Sequence, residues 1–148
     1  MVRISLRTFK SLCVVFGLAA LTGCGVEKHT LVKVSGTVLL DGKPLESGSI
    51  QVVPANGRAA SAQLGPGGRF TLGTYTNDDG VQAGTHKVSI VSVEELNKTS
   101  RRWNAPQEYV DIATSGLEVT IDEPRDDLEI SITYRGKKPV VETYKAEL

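Results

Sequence analysis

From Leu31 onward the chain alternates apolar and polar residues in short bursts, most of them ending in glycine, proline, asparagine or aspartate. No other feature constrains the fold as tightly. A period of two places alternate side chains on one face of an extended strand, whereas a helix needs apolar residues three and four apart. Val32, Val34, Val38 and Leu40 fall on one face of the first burst, opposite Lys33, Ser35 and Thr37. Asp41-Gly42 follows, a dipeptide suited to the positive dihedrals of a tight turn. Residues 48–53 direct Ile50 and Val52 inward, and residues 69–76 direct Phe70 and Leu72 inward. Residues 85–93 do the same with Val88 and Ile90, and the last strands carry Leu117, Val119 and Ile121, then Leu128, Ile130 and Ile132. A weaker strand fits residues 59–64. Gly65-Pro66-Gly67-Gly68 and Asn77-Asp78-Asp79-Gly80 read as turns. Residues 94–111 have no clean period and read as a long loop around Trp103, the only tryptophan. About seven short strands without a credible helix predict an all-β fold, a small antiparallel β-sandwich.

The first residues follow different rules. Arg3, Arg7 and Lys10 precede an apolar run from Leu12 to Leu21 that is too short for a membrane-spanning helix of ~20 residues. A basic start, a short apolar run and a small-residue exit describe a cleaved export signal. The exit, Leu21-Thr22-Gly23-Cys24, resembles the lipobox of bacterial lipoproteins: an aliphatic residue, two small residues, then cysteine. That resemblance implies a thioether lipid on Cys24, cleavage just before it with Leu21, Thr22 and Gly23 as the peptidase recognition residues, and a fatty acyl chain such as palmitate on the new amine. Gly25 stands where an aspartate often signals inner-membrane retention, so the resemblance points to the outer membrane. The expected organisation is a signal peptide over residues 1–23, a lipidated tether over 24–30, the β domain over 31–134 and a charged, loosely ordered tail over 135–148.

Bulk properties narrow the function classes. The formal net charge is zero, whereas an electrostatic nucleic-acid binder needs a clustered Lys/Arg excess. Three of the basic residues lie in the acid-free leader, which leaves the remainder mildly acidic. Of the two cysteines, Cys13 falls in the leader, so Cys24 has no internal disulfide partner after cleavage.

Several strands carry a second resemblance. Val34-Ser35-Gly36-Thr37-Val38 with Leu40-Asp41-Gly42-Lys43-Pro44-Leu45, then Gly67-Gly68-Arg69-Phe70-Thr71-Leu72, then Gly84-Thr85-His86-Lys87-Val88-Ser89-Ile90 resemble the motifs of carboxypeptidase regulatory-like domains, with His86 where an aromatic is usual. The resemblance implies a transthyretin-like (prealbumin-like) sandwich, non-enzymatic in most members.

Each candidate site also admits a plainer structural role. Tyr134-Arg135-Gly136-Lys137 resembles the ending of hydroxyisourate hydrolases, but Lys137 replaces the final serine and the paired histidines needed for proton transfer are absent: only His29 and His86 occur. Asn77-Asp78-Asp79-Gly80 and Asp122-Glu123 with Asp126-Asp127 are acidic, but lack the spacing of a calcium loop. Asn97-Lys98-Thr99 matches a glycosylation acceptor. Arg101, Arg102 and Trp103 with Tyr109 form the leading surface candidate, able to stack on a sugar or hold a partner, or else to pin a loop. The expectation is a lipid-anchored, non-enzymatic envelope protein without cofactor, catalytic residue or metal ligand, bound to the membrane through Cys24 and to an envelope protein or glycan, with no nucleic acid.

Overall fold

The computed structural model describes residues 30–144. The leader, the Leu21-Thr22-Gly23-Cys24 exit and the tether as far as His29 lie outside the described residues, as do residues 145–148. The described chain is all-β. Its strands are β1 (Leu31–Val32), β2 (Val34–Leu40), β3 (Lys43–Pro44), β4 (Ser49–Pro54), β5 (Ala60–Gln63), β6 (Arg69–Thr71), β7 (Val81–Gln82), β8 (Gly84–Val91), β9 (Val93–Asn97), β10 (Ser100–Trp103), β11 (Leu117–Ile121), β12 (Arg125–Ile132) and β13 (Val141–Thr143). Two single 3-10 turns, Pro66–Gly68 and Gln107–Tyr109, interrupt them.

These thirteen strands form four sheets. One has the order β12-β2-β3, with β6 also on β2; a second has the order β11-β8-β4-β5; a third is β13-β10-β9; the fourth is the pair β1-β7. This corrects the expected seven-strand, antiparallel, transthyretin-like sandwich and the resemblance that implied it. The number of strands and sheets is larger, and β12 runs parallel to β2, from Leu128 opposite Gly36 to Ile132 opposite Leu40. Alternation shows which side chains face a core. It does not report strand direction, and it passes over strands that bury little.

The inward residues of the two larger sheets share one core. Val34, Val38, Phe70, Leu128, Ile130 and Ile132 come from the first sheet. Ile50, Val52, Ala60, Val88, Ile90 and Ile121 come from the second. β2 is the hub. It pairs with β12, β3 and β6, and its carbonyls at Val34 and Val38 also accept the N–H groups of Leu72 and Leu45, each at 2.9 Å. Gly36 allows this crowding. A Cβ there would overlap the Leu128 carbonyl oxygen and approach the Phe70 ring to 2.8 Å.

The strands define two ends of the domain. At the first, β1 pairs with β7 (Val32 opposite Val81), the Arg125 N–H donates to the Lys33 carbonyl, and β11 finishes opposite Gly84. At the second, the Asp41 N–H donates to the Ile132 carbonyl and the Asn104 N–H to the Ser92 carbonyl. β2 runs between the ends, about 20 Å at ordinary strand rise.

Gly36→Ala should cost about 3 kcal/mol or more, because neither a backbone carbonyl nor a packed ring can give way. Gly116 has φ +63° and nothing within 4 Å of its added Cβ. Gly116→Ala should therefore cost only the backbone term of about 1–2 kcal/mol. Urea titrations compare the two. Equal losses would contradict the close parallel pairing of β2 with β12.

Candidate functional site

The segment expected to be a loop folds as a hairpin. β9 and β10 pair antiparallel, with Val93, Glu94 and Glu95 opposite Trp103, Arg102 and Arg101. Its turn is Asn97-Lys98-Thr99, where the Asn97 Oδ1 accepts the Thr99 N–H at 2.9 Å and the Thr99 hydroxyl at 3.0 Å. The glycosylation-like triplet thus has a structural use, since asparagine side chains of this kind stabilise turns.

The tail completes the sheet. β13 lies along β10, with Glu142 opposite Arg101 and Val141 opposite Arg102. The contact extends beyond the strand at both ends. The Trp103 N–H donates to the Val140 carbonyl and the Tyr144 N–H to the Thr99 carbonyl, both at 2.8 Å. Residues expected to be loosely ordered are therefore hydrogen-bonded along the whole of β10.

Charge pairs fasten both faces of this sheet. On one, Arg101 meets Glu142 at 2.7 Å and lies over the Trp103 ring, 5.3 Å from its centroid. Tyr144 donates its hydroxyl to Glu95 at 2.8 Å on the same face. On the other, Arg102 meets Glu94 at 2.6 Å and Asn104 at 3.2 Å. Arg101, followed by Trp103 and Gln107, holds the Glu142 carboxyl below its ordinary range, and Arg102 does the same for Glu94. The Trp103 indole N–H is buried and points toward this acidic group without making a hydrogen bond of normal geometry among the described residues.

The predicted surface candidates therefore separate. β10 brings Arg101, Arg102 and Trp103 together but turns the two arginines to opposite faces. Tyr109 belongs elsewhere. Its ring is 2% exposed and its hydroxyl donates to the Thr133 carbonyl at 3.2 Å, so it fixes the 3-10 turn to the end of β12. Unforeseen partners are Glu94, Glu142, Gln107, Val140 and Tyr144. A sequence signal existed for the hairpin: Glu94-Glu95 and Arg101-Arg102 stand symmetrically about the turn. For the tail it was the strand-prone run Val140-Val141-Glu142-Thr143-Tyr144.

Five of the six large apolar side chains that are exposed among the described residues belong to this sheet or its flank: Val93, Leu96, Val140, Val141 and Tyr144. Beside them is a recess of about 140 Å³ lined by Trp103, Pro106, Tyr134, Lys137 and Lys138 among others.

Of the acidic candidates, Asp79 and Asp127 have local partners. Asp79 accepts the N–H groups of Thr74, Tyr75 and Thr76 at 2.6, 3.1 and 3.0 Å, and the Thr74 N–H foremost keeps its carboxyl below the usual range. Asp127 is paired with Arg125 at 2.9 Å. No group of three or more His, Cys, Asp or Glu residues suited to a metal is found among the described residues. His86 is fully buried, and its Nε2 donates to the Gln82 carbonyl at 2.8 Å near the first end of the domain. Its Nδ1 has no partner among the described residues. Tyr134 is at the second end, donating to the Trp103 carbonyl at 3.3 Å, so the Tyr134-Arg135-Gly136-Lys137 motif and His86 lie at opposite ends of the domain. No family model matches the chain, and no curated protein or solved structure is found to be similar to it.

Carboxyls held below their ordinary pKa stabilise the fold above the unfolded value and lose that contribution as pH falls through the folded one. For Glu94 and Glu142 the loss begins below the reference value of 4.5. The small sheet should therefore loosen on acidification before the core does. Trp103 fluorescence reads it directly, and Glu142→Gln should produce part of the same change at neutral pH. An emission spectrum constant from neutral pH to pH 3 would contradict this account.

Proposed function

We propose that the chain is a lipid-anchored, non-enzymatic protein of the cell envelope that binds or scaffolds another envelope component. The observation that carries this reading is the order of residues at the start of the chain: a basic leader, a short apolar run and Leu21-Thr22-Gly23-Cys24, a few residues before the first strand. Cysteine supplies the one nucleophile that can form the thioether. Each buried methylene contributes about 0.8 kcal/mol, so two or more chains hold a protein at a bilayer where one gives only marginal binding. From Cys24 the tether reaches about 20 Å at full extension, which keeps the domain near the surface that holds the lipid. The favoured site is the outer membrane, since Gly25 replaces the aspartate of retained lipoproteins.

A protein partner is favoured over a glycan. A sugar-binding reading needs free arginines beside Trp103, and Arg101 and Arg102 are each engaged by a carboxylate of their own sheet. The exposed surface is instead apolar and strand-like, the chemistry of strand-addition partners.

Fractionation of cells making the tagged protein, together with the intact mass of the mature chain, tests the reading. The wild type should be in the membrane fraction, with a mass that begins at Cys24 and includes acyl chains. Cys24→Ser should leave the membrane fraction and keep its leader or be cut elsewhere. A wild-type chain of unmodified mass would overturn the proposal.

A further inference from the structure

We infer that the free edge of β9 is a docking site for a basic, extended segment of a partner protein, which adds as a fourth strand to the sheet β13-β10-β9. β9 is bonded to β10 on one side only, and all five of its residues are exposed. Among the described residues its outer edge pairs with no strand. Such edges attract further strands unless charge or shape guards them. Here the guard is selective, because it consists of two consecutive carboxylates, Glu94 and Glu95.

Charge complementarity identifies the occupant. A second copy of β9 paired antiparallel about its centre would set Glu95 against Glu95, and like charges directly opposite each other are destabilising. The strand already on the inner edge shows what fits. β10 presents Arg102 to Glu94 and Arg101 to Glu95, followed by Trp103 opposite Val93. A partner segment with adjacent basic residues and an apolar neighbour repeats that chemistry on the open side. Acceptors remain for it: in their bonds to Arg102 and Tyr144, Glu94 and Glu95 each use only Oε2. Val93 and Leu96, 38% and 42% exposed, offer apolar contact at both ends of the edge.

The position suits a partner outside the anchoring bilayer. The tether enters at β1, at the first end of the domain, whereas this sheet hangs from the second end through the Asn104–Ser92 hydrogen bond and the Tyr134–Trp103 contact. The first end has acidic residues of its own, Asp122, Glu123, Asp126 and Asp127. Only this orientation rests on the anchored reading; the docking chemistry does not.

The test uses the full-length chain in detergent and a short fluorescent peptide with two central arginines flanked by valine and threonine, compared with the same peptide carrying glutamates. The arginine peptide should bind saturably, the glutamate peptide should not, and binding should slow amide exchange at residues 93–97. Glu94→Lys with Glu95→Lys should weaken binding at least about tenfold. Asp126→Lys with Asp127→Lys makes the same charge change at the far end and should leave it unaltered. Trp103 emission reports whether each variant retains the sheet. Should the double reversal lose it, Glu95→Gln keeps an acceptor for Tyr144 and should still weaken binding measurably. The Cys24→Ser chain carries the same edge and should bind equally, so failure of the anchor and failure of the docking site are separate results. Absence of binding, binding indifferent to the β9 charges, or protection elsewhere on the domain would overturn the inference.

Discussion

The parallel pairing of β2 with β12 is the constraint on which the rest of the fold depends. It brings the end of the chain's described core back beside its first long strand, so β2 and the last core strand share one sheet. The approach is close enough that Gly36 must lack a side chain. Once β12 is in place, the Asp41 N–H reaches the Ile132 carbonyl and the Tyr109 hydroxyl reaches Thr133. The small sheet then has a base to stand on. Burial of the apolar faces of both larger sheets supplies the main driving force, and the β2 contacts decide which of the possible pairings is made.

The outlying sheet has a different physical basis. It buries little apolar area, and its order comes from backbone hydrogen bonds and from a lattice of charge pairs: Arg101–Glu142, Arg102–Glu94, and Lys137–Glu108 at 2.9 Å beside it. Exposed ion pairs are individually weak, so such a sheet is held by the sum of small terms. That makes it the part of the domain most responsive to pH and salt. Its exposed valines, leucine and tyrosine gain most from being covered.

Much of the core was legible in the sequence. Val34, Val38, Ile50, Val52, Phe70, Leu72, Val88, Ile90, Ile121, Leu128, Ile130 and Ile132 are inward by alternation and buried in the structure. Sheet membership was not legible, because an alternating strand reads the same whether it runs parallel or antiparallel. The motif resemblance pointed to one sandwich and carried no information about β9, β10 and β13. Those strands bury few side chains, so the apolar pattern that revealed the others is faint in them. Their signal lay in charge: paired glutamates and paired arginines around an asparagine turn, and a further glutamate, Glu142, in the tail. Tyr109 is close to Arg101, Arg102 and Trp103 in sequence, and only the path of the chain separates it from them.

The described chain enters at one end of the domain, at β1, and the open β9 edge lies at the other, so the proposed anchor would give the molecule a direction. Energy transfer to a headgroup acceptor in reconstituted vesicles tests this most directly, using the acylated chain labelled either at Glu123→Cys or at Lys98→Cys. The account predicts that the label at position 123 lies nearer the bilayer, by a distance on the order of the ~20 Å length of β2. Equal distances, or a label at position 98 closer to the headgroups, would contradict it.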